Sequence, residues 1–187
     1  IPSEYRGLFA KYQKLLATHR GYDIGAASVT KFIQDLADYS QIAEFSRLVV
    51  DLNRTVGHRN IHSKMIFSLD SDERNKILTK YYYPYRLLIE DKIIQFLQKN
   101  HSIIHIAIHS FTPILHGERR NCDIGILYDP RRHNEKTFAK QWKKAFLQID
   151  PKLKVRFNYP YLGTADGLFK HLRNQFQQNY IGVELEI

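Results

Sequence analysis

Apolar residues at Leu8, Phe9, Tyr12, Leu15 and Leu16 return every three or four positions, so Ser3 to Ala17 is expected to be helical. A second helix is expected after Asp23, a residue able to cap it, with Val29, Phe32, Ile33 and Leu36 keeping the same period. Arg47-Leu48-Val49-Val50-Asp51-Leu52 is short and β-branched, and reads as a strand. The helical period resumes from Asp72 to Lys99, with Leu87, Leu88, Ile94 and Leu97 on the apolar side, and Pro84 should kink or divide it. Strands are expected at Ile103 to Ile108, Ile124 to Tyr128, Leu153 to Phe157 and Ile181 to Ile187, with helices at Phe138 to Leu147 and Asp166 to Phe176. Helices alternating with short apolar strands predict an α/β sandwich with helices on both faces of the sheet.

The stretch HSIIHIAIHSFTP carries His101, His105 and His109 four residues apart. On a helix these would stack on one side at metal-ligand spacing. The four isoleucines between them would then wrap the cylinder, and β-branched residues favour a strand. As a strand, His105, Ala107 and His109 point one way and Ile104, Ile106 and Ile108 the other. His105 then lies mid-strand and reads as a buried neutral histidine with a hydrogen-bonding partner. His109 ends the strand, because Pro113 blocks continuation, and ligands of open α/β sheets gather beyond carboxyl ends of strands.

Other strand ends add to that site. The expected strand at Arg47 finishes in Asn53-Arg54, and alternation puts Arg47, Val49 and Asp51 on one face. An arginine within so apolar a run needs an anion, or a buried carboxylate with which it forms a structural ion pair. In the last strand Glu184 and Glu186 share a side with Gly182, opposite Ile181, Val183, Leu185 and Ile187. Two carboxylates on a buried strand are costly unless paired or used. Histidine, arginine and carboxylate at strand ends are the ingredients of metal-assisted hydrolysis.

Bulk properties narrow the class. A chain of 187 residues suits one domain, and 43% hydrophobic and 13% aromatic content is globular. No apolar run approaches the roughly 20 residues that span a bilayer. Cys122 is the single cysteine and cannot form an internal disulfide, which favours a reducing, cytoplasmic setting. A net charge of +9 attracts anions, although runs such as Arg131-Arg132-His133 and Lys143-Lys144 read first as solvated faces.

Taken together, SRLVVDLNR (Ser46 to Arg54), YYYPYR (Tyr81 to Arg86), AIHSFTP (Ala107 to Pro113), RNCDIGILYD (Arg120 to Asp129), NYPY (Asn158 to Tyr161) and VELEI (Val183 to Ile187) resemble the N-formylglutamate amidohydrolase family. GYDIGAA (Gly21 to Ala27) fits as well, and the motifs follow the family's order over nearly the whole chain. The family is similar to zinc carboxypeptidases and aspartoacylases, which implies a three-layer α/β/α sandwich around a mixed sheet, a zinc cofactor and a single amidohydrolase domain spanning 1–187. The resemblance also implies site residues. His109 corresponds to a zinc-binding histidine, and Asp23 to a metal ligand or an orienter of one, against its plain reading as a helix cap. Arg47 corresponds to the residue that polarises the scissile carbonyl, and Glu186 to the general base and proton donor. Asn53 and Arg54 would grip the substrate's α-carboxylate, and Arg120 and Asn158 line the substrate pocket, whereas Glu184 is a bland neighbour. The family's Glu-His metal motif normally precedes the Ile-Pro seen here as Ile1-Pro2, and an arginine normally follows Ile187, so the domain is expected to be truncated at both ends.

The function implied is metal-dependent hydrolysis of an N-acyl, chiefly N-formyl, acidic amino acid; a broader N-acyl-amino-acid or peptide hydrolase is the nearest alternative. The chief partner expected is a small acidic substrate rather than nucleic acid or membrane. A non-catalytic basic module is the contrasting class, in which Lys80-Tyr81-Tyr82-Tyr83-Pro84-Tyr85-Arg86 would stack bases.

Overall fold

The structure, a computed structural model, describes residues 1–187. Helical turns at Ser3–Tyr5 and Ala10–Tyr12 lead into α1 (Gln13–Leu16), so the expected N-terminal helix is broken into short pieces. Helix α2 (Ala26–Ile33) follows, then α3 (Lys64–Phe67), α4 (Ser71–Ile77) and, after a π-helical turn at Leu78–Tyr82, α5 (Tyr83–Gln98). Pro84 sits in the first turn of α5, where its missing N–H costs nothing, and the division falls just before it. The buried residues of α5 are Arg86, Ile89 and Ile93, while Leu87 and Leu88 of the expected apolar side are exposed.

Strands β1 (Ile103–His109), β4 (Ile124–Leu127), β5 (Val155–Phe157) and β6 (Tyr180–Glu186) form one sheet in the order β1-β6-β4-β5. A separate two-residue hairpin joins β2 (Ile114–Leu115) to β3 (Glu118–Arg119). The main sheet is mixed, with β1 parallel to β6, β6 antiparallel to β4, and β4 parallel to β5. Helix α6 (His133–Ile149) links β4 to β5, and α7 (Leu168–Gln175) links β5 to β6.

Alternation along β6 assigns the two faces. Val183 and Leu185 pack with Ile126, Val155 and Ala139 of α6. On the other face Tyr180 packs with Leu168, Phe169 and Leu172 of α7 and with Ile89 and Ile93 of α5. Gly182 makes this close approach possible: a Cβ there would stand 2.5 Å from the Phe169 ring. Behind this face, the fully buried Glu135 takes Arg173 at 2.9 Å and Arg132 at 3.1 Å, and accepts the Asp129 and Gly182 backbone N–H groups. A buried carboxylate so surrounded is compensated, and it ties α6, α7 and β6 together.

Two further expectations fail outside the sheet. Residues 47–52 form turns, not a strand, and Leu48, Val49 and Val50 are buried one after another. Their burial comes from a second core built with Phe9, Ile61, Ile66 and Ile77, and the local backbone bonds go to residues 61–63: Asp51 N–H to Ile61 and Ser63 N–H to Leu48. A β-branched run fills that core as well as it fills a sheet. Asp23 is not a helix cap either; the N-cap of α2 is Gly25 at φ 88°, and Phe32 and Leu36 are 89% exposed.

Candidate active site

Residue pairing at the end of the sheet builds the site. In the β1–β6 register Ala107 lies opposite Glu184 and His109 opposite Glu186, which brings imidazole and both carboxylates to one face and one strand end. The mid-strand His105 faces Gly182, and its Nδ1 lies 2.9 Å from the Tyr180 hydroxyl with its ring 4.6 Å from that of Phe169. Burial drives its pKa down to about 4, in keeping with a neutral, hydrogen-bonded histidine.

Loops bring the remaining groups. Asp23 Oδ2 accepts from Arg47 Nη2 at 2.8 Å and lies 2.9 Å from His109 Nδ1, and the other ring nitrogen of His109 is 3.6 Å from Glu184 Oε2. Arg47 therefore pairs with Asp23, 24 residues away, and not with Asp51. Asn53 donates to Glu184 at 3.3 Å and accepts the Leu168 backbone N–H of α7 at 2.9 Å. Gly167 permits that contact, because a Cβ there would stand 2.7 Å from Asn53 Oδ1. Arg54 donates to the Asp166 carbonyl at 3.0 Å, with the Asp51 carboxylate 4.0 Å from its Nε.

Asp23, Arg47, Asn53, Arg54, His109 and Glu186 all line one cleft of about 190 Å³. Arg120 and Asn158 do not line it. Arg120 stands behind the rim, donating to the hydroxyl of cleft residue Tyr161 at 3.1 Å with its guanidinium over that ring. The Asn158 carboxamide oxygen instead accepts the Tyr128 and Gly163 backbone N–H groups, a role that shapes the loop beside the cleft. Sequence reasoning passed over Glu184, Asp51, Asp166, Tyr161 and Lys170, all in the cleft. Two of these carried a signal: Glu184 shares a strand face with Glu186, and Asp51 follows Arg47 at an alternate position of the same apolar run.

Electrostatics in the cleft are strongly coupled. Burial opposes the charging of His109, but the hydrogen bond to Asp23 and the fields of Glu184, Asp23 and Glu186 outweigh it and push the ring up to about 9. Burial would raise the Asp23 carboxyl, yet its bond to His109 and the nearby Arg47 hold it below the usual range. Glu186 is 4% exposed, and burial pushes it up to about 7 against the opposing pull of His109. Its Oε2 is buried without a hydrogen-bond partner. Such an orphaned oxygen marks a place suited to a cation, a water or a substrate proton donor.

The donor set fits a divalent ion as far as two residues: His109 and Asp23 present adjacent donor atoms, with Glu186 close by. No group of three or more metal-donor residues is assembled in the chain. Within the Tyr81–Arg86 segment Tyr82 and Arg86 are buried, and Arg86 donates to the Arg54 and Leu52 carbonyls, so neither side chain is presented for base stacking.

The profile of the N-formylglutamate amidohydrolase family matches residues 1–187, the whole chain. The chain belongs to that family. This amidohydrolase is also similar to the crystal structure of gene product Atu2144 from Agrobacterium tumefaciens, at 25% identity and a TM-score of 0.79, over 100% of this chain and 75% of that one. No curated protein matches it significantly. Membership makes the chain an amidohydrolase with a small substrate, and none of its helices is long and apolar enough to cross a membrane.

Proposed function

We propose that this amidohydrolase is a zinc-dependent enzyme that hydrolyses the amide of N-formylglutamate or a closely related N-acyl acidic amino acid, on a zinc-carboxypeptidase-like fold. The observation that carries this reading is the convergence of Asp23, Arg47, His109 and Glu186, from four separate segments, on one cleft. In it, His109 and Asp23 would hold the ion. When bound, a divalent cation supplies Lewis-acid polarisation of water and carbonyl.

The chain's own groups do the rest. Glu186 accepts the proton of the attacking water and returns it to the amine as the C–N bond breaks, releasing formate and the amino acid. Arg47, half-buried and steadied by Asp23, directs a guanidinium towards the charge that develops on the carbonyl oxygen. Asn53 and Arg54, fixed by α7 and by the Asp166 carbonyl, grip the substrate's α-carboxylate. The test is to load the protein with zinc, add N-formyl-L-glutamate and measure formate. Formate and glutamate released in equal amounts support the reading, and a folded, zinc-loaded protein that releases neither excludes this substrate.

A further inference from the structure

We propose that Lys170 is the residue that selects the substrate's side-chain carboxylate; the inference rests on the hydrolase reading above and assigns its acidic preference to one cation. The charges of the cleft are nearly all answered within the chain. Arg47 and His109 both reach Asp23, and Glu184 takes Asn53 and lies near His109. Asp166 takes the Thr55 hydroxyl at 2.7 Å and its N–H at 3.1 Å, while Arg54 reaches the Asp166 carbonyl beside Asp51. Lys170 lines the same cleft, is exposed, and has neither a hydrogen bond nor a carboxylate partner within the chain.

Its position points to one end of the substrate. Lys170 lies in the first turn of α7, two residues beyond the Leu168 N–H that binds Asn53. Lys170 thus lines one cleft with Asn53 and Arg54, and the helix that carries it also fixes Asn53. A flexible, hydrated ammonium suits a mobile side-chain carboxylate, whereas the forked arginine suits the fixed one.

N-formyl-L-glutamate and N-formyl-L-glutamine are near-isosteres that differ by one negative charge, so the ratio of their affinities isolates the contact. Calorimetric binding of both ligands to zinc-loaded Glu186→Gln protein, in which turnover is blocked, tests the assignment with Lys170 intact and with Lys170→Met or Lys170→Arg added. The protein with Lys170 intact should prefer the glutamate ligand, Lys170→Met should lower that preference by about three- to tenfold, and Lys170→Arg should retain it. An unchanged preference with Lys170→Met, an equal loss for both ligands, or no preference with Lys170 intact overturns the assignment. Formate release by the wild type beside a preference that ignores Lys170 removes Lys170 and leaves the hydrolase reading standing. Lys170-dependent binding without formate release does the reverse.

Discussion

His105 and His109 sit on one strand, on one face, four residues apart, and their rings are driven in opposite directions, down to about 4 and up to about 9. The strand does not make the difference; the neighbours do. His105 meets Phe169 and the Tyr180 hydroxyl, so burial dominates and the ring stays neutral. His109 is half-buried, but it faces Asp23, Glu184 and Glu186 where the sheet ends and loops can bring charge. A sheet interior disfavours a positive charge, whereas the carboxylates gathered at this sheet end favour one, whether a proton or a cation supplies it.

The strongest way to break this contrast is to remove each ring in turn. His109→Ala should lower turnover by about 10²-fold or more with little change in melting temperature, and Glu186→Gln should cost roughly 10²–10⁴-fold in kcat with the fold intact. Steady-state formate release beside thermal unfolding checks both, and near-normal turnover in either variant removes that residue from the chemistry. His105→Ala should do the opposite. It loses ring packing against Phe169 and leaves the Tyr180 hydroxyl unpaired, at a cost of about 2–4 kcal/mol, while activity per folded molecule persists.

Acid sharpens the comparison further. The folded pKa of His105, about 4, lies below the unfolded value of about 6.5, so the unfolded chain takes up the proton first as pH falls. This contribution to stability is complete above pH 6.5 and is lost between there and about pH 4, by up to about 3 kcal/mol before allowance for the ring's partial exposure. Urea unfolding across that range should show wild type and His105→Gln converging as pH falls; parallel curves would deny His105 this role. The smallest effect belongs to Gly167→Ala, which displaces Asn53 from α7 and should lower kcat/KM several-fold while costing about 1 kcal/mol of stability. Wild-type kinetics in that variant would show that the Asn53 contact is dispensable.

Local pattern made the sheet legible. The isoleucines of 103–108 and the alternation of 181–187 define β1 and β6, and with them the pairing of His109 beside Glu186. The expected helices at 138–147 and 166–176 correspond to α6 and α7. What local pattern could not carry was partnership at long range. The run at 47–52 is apolar because it fills a core made with Phe9 and Ile66, and nothing nearby in sequence distinguishes that from a strand. Asp23 looked like a cap because its true partners are 24 and 86 residues away. Arg120 and Asn158 lie next to the cleft in space, but their polar groups are taken by Tyr161 and by backbone N–H groups.

Anomalous scattering recorded at the zinc edge from crystals of the zinc-loaded protein bears most directly on the claim that one ion organises this strand-end cluster. A peak in the cleft between His109 and Asp23, absent from crystals of His109→Ala, is the predicted result. A peak at another site, or none at saturating zinc, would contradict it.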